Sequence, residues 1–237
     1  MPEFRERLIV ALDVSSAAAA QKIVAAVGDS AHTFKVGMQL YTAEGPQIVR
    51  DLIASGRQVF LDLKYHDIPN TVAAAVKEAA QLGVRMLTVH AAGSAKMLHG
   101  AVEAAKAANP KTMVLGVTVL TSMDDAELEM SGVFDSLPDQ VRRLAALALL
   151  SGCQGIVTSA HEAPALRKEL GSHFIIVTPG VRPAGVAHGD QARVVTPAEA
   201  IKAGVNYIVV GRPITAAPDP AAAARDIVSE MRGKVHV

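Results

Sequence analysis

The strongest constraint in this 237-residue chain is an alternation that runs from one end to the other. Short apolar, β-branched runs occupy Leu8 to Asp13, Thr33 to Gly37, Val59 to Lys64, Met86 to His90, Met113 to Thr118, Gly155 to Thr158, Phe174 to Thr178 and Tyr207 to Val210. Helical segments, most of them Ala-rich, separate and follow them: Ala17 to Val27, Pro46 to Ala54, Val72 to Leu82, Ala95 to Ala108, Pro138 to Leu150, Ala163 to Leu170, Ala198 to Ala203 and Ala221 to Met231. The strand candidates are continuously apolar, the pattern of parallel strands covered on both faces. Pro69 and Pro197 near helix starts, and Gly56, Gly83, Gly152, Gly171 and Gly204 after helix ends, punctuate the same scheme. Eight strands and eight helices in strict βα order favour a (β/α)8 TIM barrel over an open doubly wound sheet, which usually needs fewer strands and a reversal point. No low-complexity linker or charge block divides the chain, so a single TIM-barrel domain over residues 1–237 is expected. Two segments exceed ordinary βα loops, Leu120 to Leu137 and Pro179 to Val195, and long loops in a compact domain are usually functional.

Composition removes several classes of function. Lys plus Arg and Asp plus Glu both number 23, so no net field gathers nucleic acid or anionic lipid. Aromatic residues make up 3%, too few for a stacking platform for bases. One Cys excludes an internal disulfide, and no Cys/His spacing suggests zinc. Apolar runs such as Leu144 to Leu150 are too short to span a bilayer, and the opening MPEFRER has no apolar core of a signal peptide. The expectation is a soluble, cytoplasmic, globular protein with no nucleic-acid or membrane partner.

In a barrel, chemistry belongs at the C-terminal ends of the strands. Asp13, Lys35, Asp62, Lys64, His90, Thr118 with Thr121-Ser122, and Gly211-Arg212 fall at those ends. Charges inside apolar strands are costly unless paired, which makes Lys35, Asp62 and Lys64 informative. Asp62 and Lys64, two apart, share a face and leave Leu61 and Leu63 to the opposite one. They form an ion pair aimed at the barrel mouth, with either a structural or a chemical use. A second cluster suits phosphate: Thr178-Pro179-Gly180-Val181-Arg182-Pro183 follows strand seven and Gly211-Arg212-Pro213-Ile214-Thr215 follows strand eight. Barrels often hold a phosphate between these two loops through backbone N–H groups and a positive side chain. Neither GxGxxG nor GxxxxGK[ST] is present, and no GxSxG or HExxH occurs. His90 reads as a hydrogen-bonded structural residue, Met38, Met86 and Met113 as core filler, and Cys153 as a small buried residue.

These motifs carry a resemblance. Asp62-Leu63-Lys64-Tyr65-His66-Asp67-Ile68-Pro69-Asn70-Thr71 resembles the DxKxxDIPxT signature of the bacterial orotidine 5′-phosphate decarboxylases. LIVALD near the start, Phe34-Lys35-Val36-Gly37, Leu120-Thr121-Ser122, the two Gly-Arg loops and Gly189-Asp190-Gln191 extend it over the whole chain. The resemblance implies decarboxylation of orotidine 5′-phosphate to UMP, the last step of de novo pyrimidine nucleotide synthesis, with no metal and no organic cofactor. It also implies a homodimer with shared sites. Lys35, Asp62, Lys64 and Asp67 would form an alternating catalytic array, with Asp67 and Thr71 reaching the other subunit's site. Asp13 and Lys35 would hold ribose hydroxyls, Thr121 and Ser122 the pyrimidine edge, and Gln191, Gly211 and Arg212 the phosphate, with Arg182 on a closing loop. The enzymatic rival is a Mg²⁺-dependent sugar-phosphate decarboxylase or aldolase of the same superfamily; the rival of another class is an inactive nucleotide-binding scaffold.

Overall fold

A computed structural model describes residues 3–183 and 195–233. Eight parallel strands close into a barrel in chain order, β1 pairing with both β2 and β8. The strands are β1 Leu8–Ala11, β2 Thr33–Gly37, β3 Gln58–Tyr65, β4 Met86–His90, β5 Met113–Val117, β6 Gly155–Val157, β7 Ile175–Thr178 and β8 Tyr207–Val210. The helices among the described residues are α1 Phe4–Arg7, α2 Ala17–Val27, α3 Met38–Glu44, α4 Gln47–Ala54, α5 Pro69–Gln81, α6 Ala95–Ala108, α7 Asp125–Met130, α8 Leu137–Leu150, α9 Ala163–Leu170, α10 Pro197–Lys202, α11 Arg212–Thr215 and α12 Pro220–Met231. The architecture is a (β/α)8 barrel, as the alternation required.

Start and stop chemistry accounts for the helix bounds. Pro69 and Pro197 stand in the first turns of α5 and α10, where a missing N–H costs nothing. Thr196 and Glu199 cap α10 reciprocally. Gly152, after α8, has φ 94°, a left-handed stop that favours glycine.

Two apolar layers follow from strand phase. Leu8, Val10, Phe34, Val36, Val59, Leu61, Leu87 and Val89 face outward and pack under the helices. The alternate residues fill the barrel: Ile9, Phe60, Met86, Leu115, Val177, Tyr207 and Val209 form a separate interior cluster. At the N-terminal end Arg85 Nη2 donates to the Tyr207 hydroxyl at 3.3 Å. Moving toward the C-terminal end, the same inward phase changes from apolar to polar. Phe60 is followed by Asp62, Met86 by Thr88 and Ala11 by Asp13, while on β2 the buried hydroxyl of Thr33 is followed by the charge of Lys35. The fold thus converts a period-two pattern into a dry floor and a charged mouth.

The structure departs from the sequence expectation in four places. Four short helices appear that strand-and-helix counting passes over, namely α1, α3, α7 and α11. The segment after β5 is therefore not a bare loop: α7 sits in it, fixed by a capping box between Asp124 and Glu127. Met38 is 57% exposed, not core, because the chain leaves β2 at Gly37 and turns outward into α3. Lastly, β3 is not a regular strand beyond Leu61. Leu61 pairs with Leu87 but Tyr65 with Val89, so β3 spends four residues where β4 spends two. This is a bulge, and Lys64 at its crest has φ 51°.

Candidate active site

The mouth of the barrel opens into a cavity of about 520 Å³, within the usual range for small-molecule sites. Its floor is Ala11, Phe60, Val117, Val157 and Val209, apolar residues near the C-terminal ends of their inward rows. One wall is a row of charges. Lys35 Nζ lies 2.7 Å from Asp13 Oδ1 and 4.0 Å from Asp62 Oδ2, and Lys64 Nζ lies 2.9 Å from Asp62 Oδ1. Signs alternate along Asp13, Lys35, Asp62 and Lys64, and sum to zero. The side chains of Lys35 and Asp62 are only 12% and 14% exposed, so their mutual pairing offsets much of the desolvation cost. Gly37 belongs to this wall: a Cβ there would come 2.9 Å from Lys35 Nζ, so glycine leaves room for the Lys35–Asp13 contact.

The bulge does not break the Asp62–Lys64 pair, because both Asp62 oxygens accept from Lys64 Nζ, at 2.9 and 3.0 Å. Leu61 and Leu63 pack with the outer layer, as the shared-face argument expects. What differs is the cause. A regular strand would deliver Lys64 by period alone, whereas here its backbone is left-handed and its N–H donates to Thr88 Oγ1 at 2.9 Å. Thr88 in turn donates to Asp62 Oδ1 at 3.0 Å.

The loops after β7 and β8 carry the candidate anion-binding groups, and Gly211 sits next to the Asp13 end of the row. Gly180, Val181 and Arg182 after β7, and Gly211 and Arg212 after β8, line the cavity with Thr121 from the segment after β5. Arg182 is 8% exposed, and its backbone N–H donates to Val195 O at 3.0 Å beside a Val181–Val195 bridge. Gly211 is the residue before α11, which begins at Arg212.

Three expected site residues do not line this cavity. Asp67 is exposed on the β3–α5 loop, and its Oδ1 accepts its neighbour Ile68's N–H at 2.6 Å. It makes no ion pair among the described residues, and the row is completed by Asp13 instead. Thr71 is exposed near the start of α5 and Ser122 just beyond Thr121. Gln191, with Gly189 and Asp190, lies outside the described residues. Thr88 and the apolar floor were not singled out from the sequence, although Thr88's inward phase beside His90 was a usable signal.

His90 and Cys153 complete the titratable set. His90 makes no side-chain hydrogen bond among the described residues; its ring lies tilted against His66, centroids 5.4 Å apart. Burial first, then His66 and Lys64, push its pKa below the usual histidine value, opposed by Asp62. Cys153 is buried, and burial pushes its thiol up to about 12, which suits a packing residue. Thr118 Oγ1 donates to Val157 O at 3.1 Å and is committed to the sheet. No three His, Cys, Asp or Glu side chains gather as metal ligands among the described residues, and none of the described helices is long and apolar enough to cross a membrane.

Comparison with known proteins agrees with the motifs. Residues 6–227 match the model of the orotidine 5′-phosphate decarboxylase / HUMPS family. The orotidine 5′-phosphate decarboxylase of Halorhodospira halophila is 53% identical over 225 residues, covering 95% of each chain. That of Moorella thermoacetica is 50% identical over 233 residues, 96% of this chain and 92% of the relative. The crystal structure of the Lactobacillus acidophilus orotidine 5′-phosphate decarboxylase superposes with a TM-score of 0.86 at 38% identity, covering 95% of this chain and 99% of the other.

Proposed function

Because the chain belongs to the orotidine 5′-phosphate decarboxylase / HUMPS family, we propose that it decarboxylates orotidine 5′-phosphate to UMP. The observation that carries this reading is the alternating row from Asp13 to Lys64, lining one cavity together with Arg182 and Arg212. The relatives at 53% and 50% identity are both named for this activity, and nothing in the comparisons favours the Mg²⁺-dependent sugar-phosphate alternative.

The chemistry fits the row. Breaking the bond from C6 to the carboxylate leaves an electron pair in the ring plane, where the π-system cannot delocalise it. Without a cofactor, that charge must be stabilised electrostatically and then protonated. Lys64 supplies both, as an ammonium beside C6 and then as the acid that donates its proton there while CO₂ leaves. Asp62 holds that ammonium charged and oriented. It also repels the substrate carboxylate, a repulsion that ends when CO₂ departs. Asp13 and Lys35 hold the ribose hydroxyls, Thr121 and Ser122 the pyrimidine edge, and Gln191, Gly211, Arg212 and Arg182 the phosphate. General acid catalysis contributes about 10²- to 10⁴-fold. Binding energy from the remote phosphate and ribose therefore has to assist the reacting centre.

Assembly as a homodimer with shared sites is part of the proposal. Ile68, next to Asp67, is 66% exposed and Met38 at the rim 57% exposed, apolar surface suited to burial against a second subunit. Asp67 then extends the charge row of the partner, and Thr71 reaches the same site. We place the enzyme in the cytoplasm.

The test is an assay of orotidine 5′-phosphate loss and UMP formation in chelator-treated buffer. Turnover that persists is expected. Activity abolished by EDTA and restored by Mg²⁺ would overturn the cofactor-free reading, and no turnover at all would overturn the substrate assignment.

A further inference from the structure

Thr88 is fully buried on β4, on the inward row between Met86 and His90. On its β5 side the pairing is unbroken, with Thr88 opposite Leu115. On its β3 side the register slips by two residues between Leu61 and Tyr65. The Thr88 hydroxyl stands at that slip. It accepts the Lys64 N–H at 2.9 Å and donates to Asp62 Oδ1 at 3.0 Å. A hydroxyl has one proton to give and lone pairs to receive, and here both capacities are used on the two residues of the ion pair. One partner is the backbone of a non-glycine residue at φ 51°. Such a conformation is strained for a residue with a Cβ, and it persists where its surroundings over-determine it. The other partner is the carboxylate that clasps Lys64 Nζ with both oxygens. A β-branched side chain has few χ1 states, so the bridge is stiff.

We propose that Thr88 is a positioning residue for the decarboxylation: its hydroxyl ties the bulged Lys64 backbone to the Asp62 carboxylate and so sets where the Lys64 ammonium stands. The assignment rests on the roles given above to Asp62 and Lys64. Thr88 touches no substrate; it acts through them. Substrate is held by groups on other strands and loops, so the effect falls on turnover and not on binding.

Steady-state kinetics of Thr88→Val, Thr88→Ser and Lys64→Ala, with thermal unfolding of each sample, test this. Thr88→Val keeps the shape and removes the hydroxyl, leaving the Lys64 N–H without its acceptor. It is expected to lower kcat about ten- to a hundredfold with KM changed by less than about threefold. Thr88→Ser is expected to recover most of kcat. Should Thr88→Val fail to fold, the comparison of Thr88→Ala with Thr88→Ser isolates the same hydroxyl. Wild-type kcat in a folded hydroxyl-free variant would overturn the proposal. So would a loss confined to KM, or a loss that serine does not recover. Lys64→Ala separates the two levels: if it retains turnover, the reading beneath the proposal fails, and if it alone collapses, Thr88 is only packing.

Discussion

Lys64 holds Asp62 through both carboxylate oxygens, at 2.9 and 3.0 Å, from a backbone that has left the strand conformation. The pair is therefore held in a conformation a regular strand would not give. That separates two contributions of Lys64, its ammonium and its φ of 51°.

Lys64→Ala and Lys64→Gly are both expected to fold and to lose turnover by at least about a thousandfold, since both remove the proposed electrostatic stabilisation and the proposed proton donor. They should differ in stability. Glycine adopts positive φ without the Cβ clash, so Lys64→Gly should unfold at higher denaturant than Lys64→Ala, by about 1 kcal/mol. Equal midpoints would show that the left-handed crest carries no strain, and retained turnover would remove the general-acid role.

Arg212 is exposed at the start of α11 on the cavity rim, while Arg182 is buried in the neighbouring loop after β7. A charge-assisted contact to a phosphate is worth about 1.5–3 kcal/mol, so Arg212→Ala should raise KM for orotidine 5′-phosphate by roughly ten- to a hundredfold. An unchanged KM would refute the phosphate role.

The mouth was legible in the sequence because its polar residues continue a simple inward phase. Asp13 and Asp62 each follow an apolar inward residue by two, Lys35 follows Thr33 in the same phase, and the closed barrel converges them. The bulge was not legible, since the φ of Lys64 is set by pairing to β4 and by the Thr88 hydroxyl, both remote in sequence. Short helices such as α3 and α7 escaped because six or seven residues carry almost no periodic signal. The Asp124-to-Glu127 capping spacing was the one cue for α7. Met38 misled because an apolar residue after a strand reads as core until the chain's exit direction is known.

His90 offers a pH test of the mouth's packing. Burial, His66 and Lys64 hold its folded pKa below 6.5, so below that pH the unfolded chain binds more protons than the folded one. Stability from this residue is present above about pH 6.5 and is lost as pH falls toward the folded value. Wild-type Tm should therefore drop more steeply between about pH 7 and pH 5.5 than that of His90→Asn. Parallel curves would show that His90 does not contribute to the acid limb.

The interface reading makes the strictest demand, because Asp67 is outside the cavity of its own chain and makes no ion pair there among the described residues. If Asp67 completes the charge row of a second subunit, a site needs Lys64 from one chain and Asp67 from the other. Homodimers of Lys64→Ala lack the first at both sites, and homodimers of Asp67→Ala lack the second. A hybrid of the two concentrates both defects in one site and leaves the other whole. Mixing the inactive proteins under conditions of subunit exchange should restore up to about a quarter of wild-type activity, since hybrids form half of an equal mixture and each has one of two sites intact. Exchange is followed independently with differently tagged chains. Mixed tags without recovered turnover would place Asp67 in the service of its own chain, through a movement of the β3–α5 loop, and would end the shared-site proposal.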